Sequence, residues 1–179
     1  DVQPGDVKYV DFNHDGVIND SDKVDLGNGM PDFTFGFNLG FDYKGFDFST
    51  YFQGVGSRDY WGYGNVAIPS GMSALDAIFT HQTDYWTPQN TDAFYPRPTD
   101  HSWVSDGQNF KTQTRYLSDM SYLRCKNITV GYSLPKSLLQ KIDFQKLRVY
   151  FSAENMFTFD NMHLPVDPET TSWKGAWAF

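Results

Sequence analysis

The sequence predicts an all-β chain made of antiparallel strands of the transmembrane β-barrel type, enough for part of a barrel, with long extracellular loops and one short loop helix. Three observations lead there. Phe33 to Val55 alternates apolar with small or polar residues almost without a break, and the same alternation returns after Ser121. Between the two lies a long stretch rich in Gly, Pro, Asp, Asn and Trp. Short turns and this one long connection follow each other in the order that outer-membrane barrels use.

Residues 1–31 come first and carry the sharpest local motif. Asp11, Asn13, Asp15, Gly16, Val17 and Asp22 follow the spacing of a calcium loop. Carboxylate or amide oxygens stand at positions 1, 3 and 5, a backbone carbonyl at 7 and an acid at 12, with glycine making the sharp turn at 6. The expected metal ligands are Asp11, Asn13, Asp15, Val17 and Asp22, with calcium in a structural role. Position 12 is Asp rather than Glu, and Val7 to Val10 reads as a strand, so a paired helical calcium module is not expected. An acidic turn without metal is the alternative.

The hairpin at 32–55 follows. Phe33, Phe35, Phe37, Leu39, Phe41 and Tyr43 share one face, and Thr34, Gly36, Asn38, Gly40 and Asp42 the other. A two-residue Lys44-Gly45 loop, with Gly45 at positive φ, pairs Tyr43 with Phe46, Phe41 with Phe48, Leu39 with Thr50 and Phe37 with Phe52. Both apolar faces then coincide. The register also sets Asp42 opposite Asp47, an unfavourable pair unless water reaches it. A first strand of eleven residues matches the roughly 9–11 needed to cross a bilayer at a tilt. One face of a soluble sandwich alternates in the same way, and periodicity does not separate the two.

Residues 56–120 form the long extracellular loop. Ser73 and Asp76 give a capping pattern, and Met72, Leu75, Ile78 and Phe79 recur at helical spacing, which predicts a helix over 73–81. Trp61, Tyr63, Tyr85, Trp86, Tyr95 and Trp103 stand among polar residues as candidate substrate or partner contacts. Such aromatics equally suit the small core of the loop. The segment 121–159 holds two further barrel strands: one with Ile128, Val130 and Tyr132 against Asn127, Thr129 and Gly131, the other running from Lys146 to Phe157. The second sets Leu147, Val149, Phe151 and Ala153 against Arg148, Tyr150, Ser152 and Glu154, a face too polar for a dry core. Residues 160–179 read as another outer loop.

The formal charge is −8 and no Lys/Arg cluster stands out, which excludes binding along a nucleic-acid backbone. One cysteine, Cys125, forms no internal disulfide and is expected as a small buried or lipid-facing side chain. No apolar run approaches 18 residues, so no transmembrane helix or leader is expected. No acid/base pair or nucleophile arrangement marks an enzyme.

These residues resemble a known family, the C-terminal part of SusC/RagA-type TonB-dependent outer-membrane transporters. The resemblance rests on Gly5-Asp6-Val7-Lys8-Tyr9, the Asp11 to Ile18 loop, Gly27 to Phe37, Phe52-Gln53-Gly54-Val55, Tyr85-Trp86-Thr87-Pro88-Gln89-Asn90, Tyr95-Pro96-Arg97, Ser121 to Arg124 with Asn127-Ile128, and Ala153 to Thr158. It implies a 22-stranded barrel with a plug, in the outer membrane of a Gram-negative bacterium. It further implies energy from TonB, contact with outer-membrane lipid, and a SusD-like surface lipoprotein as partner in taking up glycans or peptides. Four or five strands cannot close a barrel, which needs about 8, so the remainder of the barrel is an expected partner. This chain is then part of a larger transporter or an excised piece. The alternative is a secreted calcium-binding β-sandwich module that binds carbohydrate through its loop aromatics.

Overall fold

The structure, a computed structural model, describes residues 2–62, 78–98, 108–141 and 143–169. Six strands are present among them: β1 (Phe33–Tyr43), β2 (Phe46–Gly56), β3 (Asp59–Trp61), β4 (Leu117–Asp119), β5 (Tyr122–Ser133) and β6 (Arg148–Asp160). The one α-helical turn, α1 (Lys136–Leu139), lies in the connection between β5 and β6. The chain divides into two compact units, a wall of residues 31–58 and 119–161, and a loop unit drawn from 2–30, 59–118 and the chain after Asn161.

The wall is one antiparallel sheet in the order β1-β2-β5-β6. The β1–β2 register is the expected one, from Tyr43 opposite Phe46 to Phe33 opposite Gly56. Lys44 and Gly45 both take positive φ, at 48° and 87°, the conformation that matches the twist of a two-residue hairpin. On one face Phe37 stacks on Phe52 and Phe41 on Phe48, with ring centroids 5.1 and 5.3 Å apart, and Phe46 meets Tyr132 at 4.5 Å. The other face carries Asn38, Ser49, Tyr51, Gln53, Thr129 and Ser152.

Asp42 does face Asp47, and the sheet relieves the repulsion from two strands away. Arg148 on β6 reaches across β5 and donates Nε to Asp47 Oδ1 at 2.9 Å and Nη2 to Oδ2 at 2.5 Å. A bidentate guanidinium–carboxylate pair is the strongest such geometry. It can span the middle strand only because residue 131 is glycine: a Cβ there would stand 2.5 Å from both Arg148 Nη2 and Asp47 Oδ1.

The sequence reading gave β6 a single alternation over Lys146 to Phe157, and its parity holds through an irregularity that the reading did not foresee. Pairing shifts between Cys125 and Asn127 on β5, while β6 skips from Phe157 to Glu154, with Asn155 at φ 49°. Relative to β2 the strand β6 carries two extra residues and keeps its phase, so Val149, Phe151 and Ala153 share the apolar face with Phe157 and Phe159, whereas the one extra residue on β5 moves that face from Ile128 and Val130 to Cys125 and Leu123. Asparagine tolerates this left-handed conformation better than other non-glycine residues. The bulge also frees the Asn127 carbonyl, and the Thr50 hydroxyl donates to it at 2.9 Å. Thr50 is thereby satisfied on an otherwise apolar face, and buried Cys125 lies 3.4 Å from the same hydroxyl.

In the loop unit β3 pairs with β4, and Leu164 is buried under Tyr60, Trp61, Phe110, Met162 and Val166. Of the helix expected over 73–81, residues 73–77 lie outside the described residues. Ile78 and Phe79 are not helical, and a 3-10 turn begins only at Thr80. The Gln82 side chain closes that turn by accepting from Phe79 N at 3.0 Å.

Candidate functional site

The loop unit is organised around one carboxylate that no spacing rule picks out. Asp6 Oδ1 accepts Arg97 Nε at 2.6 Å and Asn109 Nδ2 at 3.0 Å, and Oδ2 accepts Arg97 Nη2 at 3.2 Å and Gln3 N at 2.8 Å. Asn109 Oδ1 in turn accepts Val7 N at 2.7 Å. Burial pushes the Asp6 carboxyl up, but these hydrogen bonds and the Arg97 charge outweigh it and lower its pKa to about 2. Segments about 90 and 100 residues away are thus tied to the N-terminal stretch.

The next layer builds on that tie. Arg97 N donates to Gly5 O at 3.0 Å, and Gly5, at φ 91°, lies against the Trp86 indole where a Cβ would not fit. Trp86 N donates to Tyr95 O, and Tyr95 N to Asp84 O. Asp84 closes the arch from inside, accepting Asn90 Nδ2 at 3.0 Å and Phe94 N at 3.1 Å. Those bonds, Asn90 foremost, hold its carboxyl below the usual range. Tyr95 and Phe94 pack edge to face at 4.9 Å, and Tyr116 stacks on Tyr95 at 6.2 Å. Burial pushes the Tyr116 phenol well above its ordinary pKa.

The candidate contact residues therefore separate. Tyr95 is 2% exposed and belongs to this core, so its side chain is not offered to a ligand. Trp61 packs against Leu164. Tyr85 and Trp86 are half-buried, with Trp86 engaged by Gly5. Tyr63 and Trp103 lie outside the described residues. Sequence reasoning missed Asp6, Arg97 and Asn109 as an organising trio, because contacts over such separations leave no periodic trace.

The acidic loop is wound on its own backbone. Asp11 Oδ2 accepts Gly16 N at 2.7 Å and Oδ1 accepts Asp15 N at 3.2 Å, Asn13 Oδ1 accepts Asp15 N at 2.9 Å, and Asp15 Oδ1 accepts Val17 N at 2.8 Å. Asp22 Oδ1 accepts Phe12 N at 2.8 Å and Oδ2 accepts Asn19 N at 2.8 Å, and these bonds, Asn19 foremost, hold its carboxyl below the usual range. His14 and Gly16 take positive φ at 61° and 83°. A carboxylate has about four acceptor positions, so each acid keeps lone pairs beyond its backbone bond. Among the described residues no group of three His, Cys, Asp or Glu side chains is arranged to hold a metal ion. The donor set is of the hard-oxygen kind calcium takes, in a turn closed by hydrogen bonds.

No helix among the described residues is long and apolar enough to cross a membrane, which leaves the strands as the elements to judge. On the apolar face of the wall, Phe33, Phe35, Phe37, Phe41, Phe46, Phe151, Phe157 and Phe159 remain 39–62% exposed. At about 200 Å² per ring system, they alone leave roughly 800 Å² of aromatic surface uncovered, beyond the largest patch usual on a soluble monomer.

No family model matches the chain. Among curated proteins it is 34% identical over 169 residues to TonB-dependent receptor P3 of Formosa agariphila and 30% identical over 171 residues to TonB-dependent receptor P26 of the same organism. Each match covers 94% of this chain, and the chain spans 16% of the length of either relative. Two solved structures, the RagAB peptide transporter and the RagAB peptide importer in its closed-closed state, match with TM-scores of 0.56 and 0.54 at 25% identity. Both matches cover 75% of this chain and 14% of theirs. The four-stranded wall is accordingly a piece of barrel sheet, and the chain is a homologue of one segment of the TonB-dependent receptors.

Proposed function

We propose that this chain supplies wall and outer loops to a TonB-dependent importer in the outer membrane of a Gram-negative bacterium, working with a surface lipoprotein of the SusD/RagB kind. The observation that carries the reading is the two-faced wall. Its phenylalanine face is uncovered, and its other face is polar from Asn38 to Ser152. A sandwich module would bury the first of these faces. In a barrel wall the first meets lipid and the second the lumen. The short turns at Lys44-Gly45 and between β5 and β6 lie at one end of the strands, and the long connection from β2 to β5 leaves from the other. That is the arrangement of short periplasmic turns and long outer loops. The solved relatives are named a peptide importer and a peptide transporter, which ranks peptides ahead of glycans as the cargo.

The test is Phe37→Arg in the full-length protein. An arginine on the lipid face near the midplane costs about 2–4 kcal/mol, so the variant should assemble poorly into outer membranes while Asn38→Arg, on the lumenal face, assembles normally. Equal assembly of the two variants would sink the assignment of faces.

We further propose that Asp11, Asn13, Asp15, Val17 and Asp22 bind a structural calcium ion. The carrying observation is an all-oxygen donor set on a turn whose sharp bend is already made at His14 and Gly16. Calcium should raise the unfolding temperature of the loop unit in the full-length protein, and Asp15→Ala should abolish the rise. A calcium response unchanged by that substitution refutes the site.

A further inference from the structure

Beside the Asp6–Arg97 pair the loop unit carries an open cleft of about 580 Å³, lined by Asp6, Lys8, Phe94, Gln113, Thr114 and Arg115. Its polar groups are of two kinds. Asp6 has its charge compensated by Arg97, with both oxygens bonded. Buried Gln113 gives its Nε2 to Asn109 O at 2.9 Å and to Tyr9 Oη at 3.3 Å. Lys8 and Arg115 are exposed, and among the described residues neither has a carboxylate partner. Arg115 is steadied by Nη1 donating to Phe94 O at 2.6 Å, which leaves the other donors of its guanidinium unspent. The Thr114 hydroxyl sits between these groups in sequence, and the Phe94 ring is held in place by Tyr95 and Tyr116.

The chain as a whole carries 22 acids against 14 Lys and Arg. Two uncompensated cations lining one cleft, with no uncompensated acid in its lining, invert that balance locally. We infer that the cleft is a subsite for a carboxylate on the substrate, held between Lys8 and Arg115 with the apolar part of the same substrate residue against Phe94. A guanidinium matches the planar carboxylate, and an ammonium adds a point charge. Two cations suit a single carboxylate, whereas a polyphosphate backbone would need an extended basic face. The carboxylate can come from an acidic residue or C-terminus of a peptide, or from a uronic acid of a glycan. The ligand's being cargo rests on the importer reading.

The experiment uses purified full-length protein in detergent and isothermal titration with two matched pairs. One is an Asp-containing pentapeptide with its Asn counterpart, and the other a uronic-acid tetrasaccharide with its methyl ester. One acidic probe should bind roughly tenfold tighter than its neutral partner, the size of one charge-assisted contact, with the preference shrinking as salt rises. Among the described residues the Lys8 side chain makes no hydrogen bond or ion pair, so Lys8→Glu should leave folding intact and erase the preference. Which pair responds identifies the source. If neither acid is preferred, or if the preference survives Lys8→Glu, the subsite is wrong. Cellular uptake of the neutral probes is measured in parallel: uptake without an acid preference removes the subsite and leaves the importer reading standing, while absent uptake with an intact preference does the reverse.

Discussion

Removing the Asp6 carboxylate should loosen the arch at residues 84–97 while the wall stays intact. Asp6→Ala leaves the Arg97 guanidinium without its anion and Asn109 Nδ2 without its acceptor. The Asp6 side chain is 10% exposed and Arg97 28%, so water compensates part of the loss. The cost is then about 2 kcal/mol, near the middle of the range for hydrogen bonds to charged groups. If opening of the arch governs exchange, the amides of Trp86, Tyr95 and Arg97 should exchange about 30-fold faster, since 1.36 kcal/mol is tenfold. Hydrogen exchange read by mass spectrometry on the full-length protein measures this segment by segment. Acid gives an independent arm. The folded pKa of about 2 lies below the ordinary 3.8, so the contribution is complete above pH 4 and is lost as pH falls from about 4 through 2. After allowance for screening at a partly wetted site it amounts to 1–2 kcal/mol, or about a tenfold rise in exchange over that window. Asp6→Asn should lack the acid-dependent step. Unchanged exchange at residues 84–97 in Asp6→Ala would refute the organising role of this carboxylate.

Two further predictions concern the wall. Gly131→Ala places a methyl group where the Arg148–Asp47 bridge passes and should cost about 1–3 kcal/mol in denaturant unfolding of the full barrel. In an Arg148→Ala background the same change should cost under about 0.5 kcal/mol, and equal costs in the two backgrounds would show that the bridge does not explain the glycine. Asn155→Gly should be neutral while Asn155→Val costs about 1–2 kcal/mol for its left-handed backbone. A harmless valine would mean that the bulge relaxes and its geometry is not required.

What could be read from the sequence was whatever the chain encodes locally. The register of β1 and β2 follows from one alternation and one glycine turn, and every expected pair is present because a slip of one residue would turn all the phenylalanines to the lumen. The Asp42/Asp47 conflict was legible too. Its resolution was not, because Arg148 lies 101 positions from Asp47 and the glycine that admits it belongs to a third strand. The loop unit shows the same limit. Its aromatic residues looked like ligand contacts, yet Tyr95 and Trp61 are spent on packing, and composition alone does not separate a stacking surface from a small core. The pattern Gly5-Asp6 and the pattern Tyr95-Pro96-Arg97 read as two unconnected motifs, although physically they are halves of one ion pair.

The bulge joins these points to the working of the wall. A strand of period 2 that kept phase through all twelve residues of β5 would send Leu123 and Cys125 into the lumen, given Ile128 and Val130 on the lipid side. One extra residue at Lys126 corrects the phase of β5, and β6 passes it with two, the left-handed Asn155 and Met156, but the broken ladder exposes a carbonyl on the side where lipid offers no donor. Thr50 supplies that donor from the neighbouring strand, which accounts for a hydroxyl amid Phe46, Phe48 and Phe52. The polar residue on the greasy face and the asparagine in Ala153-Glu154-Asn155-Met156-Phe157 are therefore two parts of one device, and neither is explained without the other.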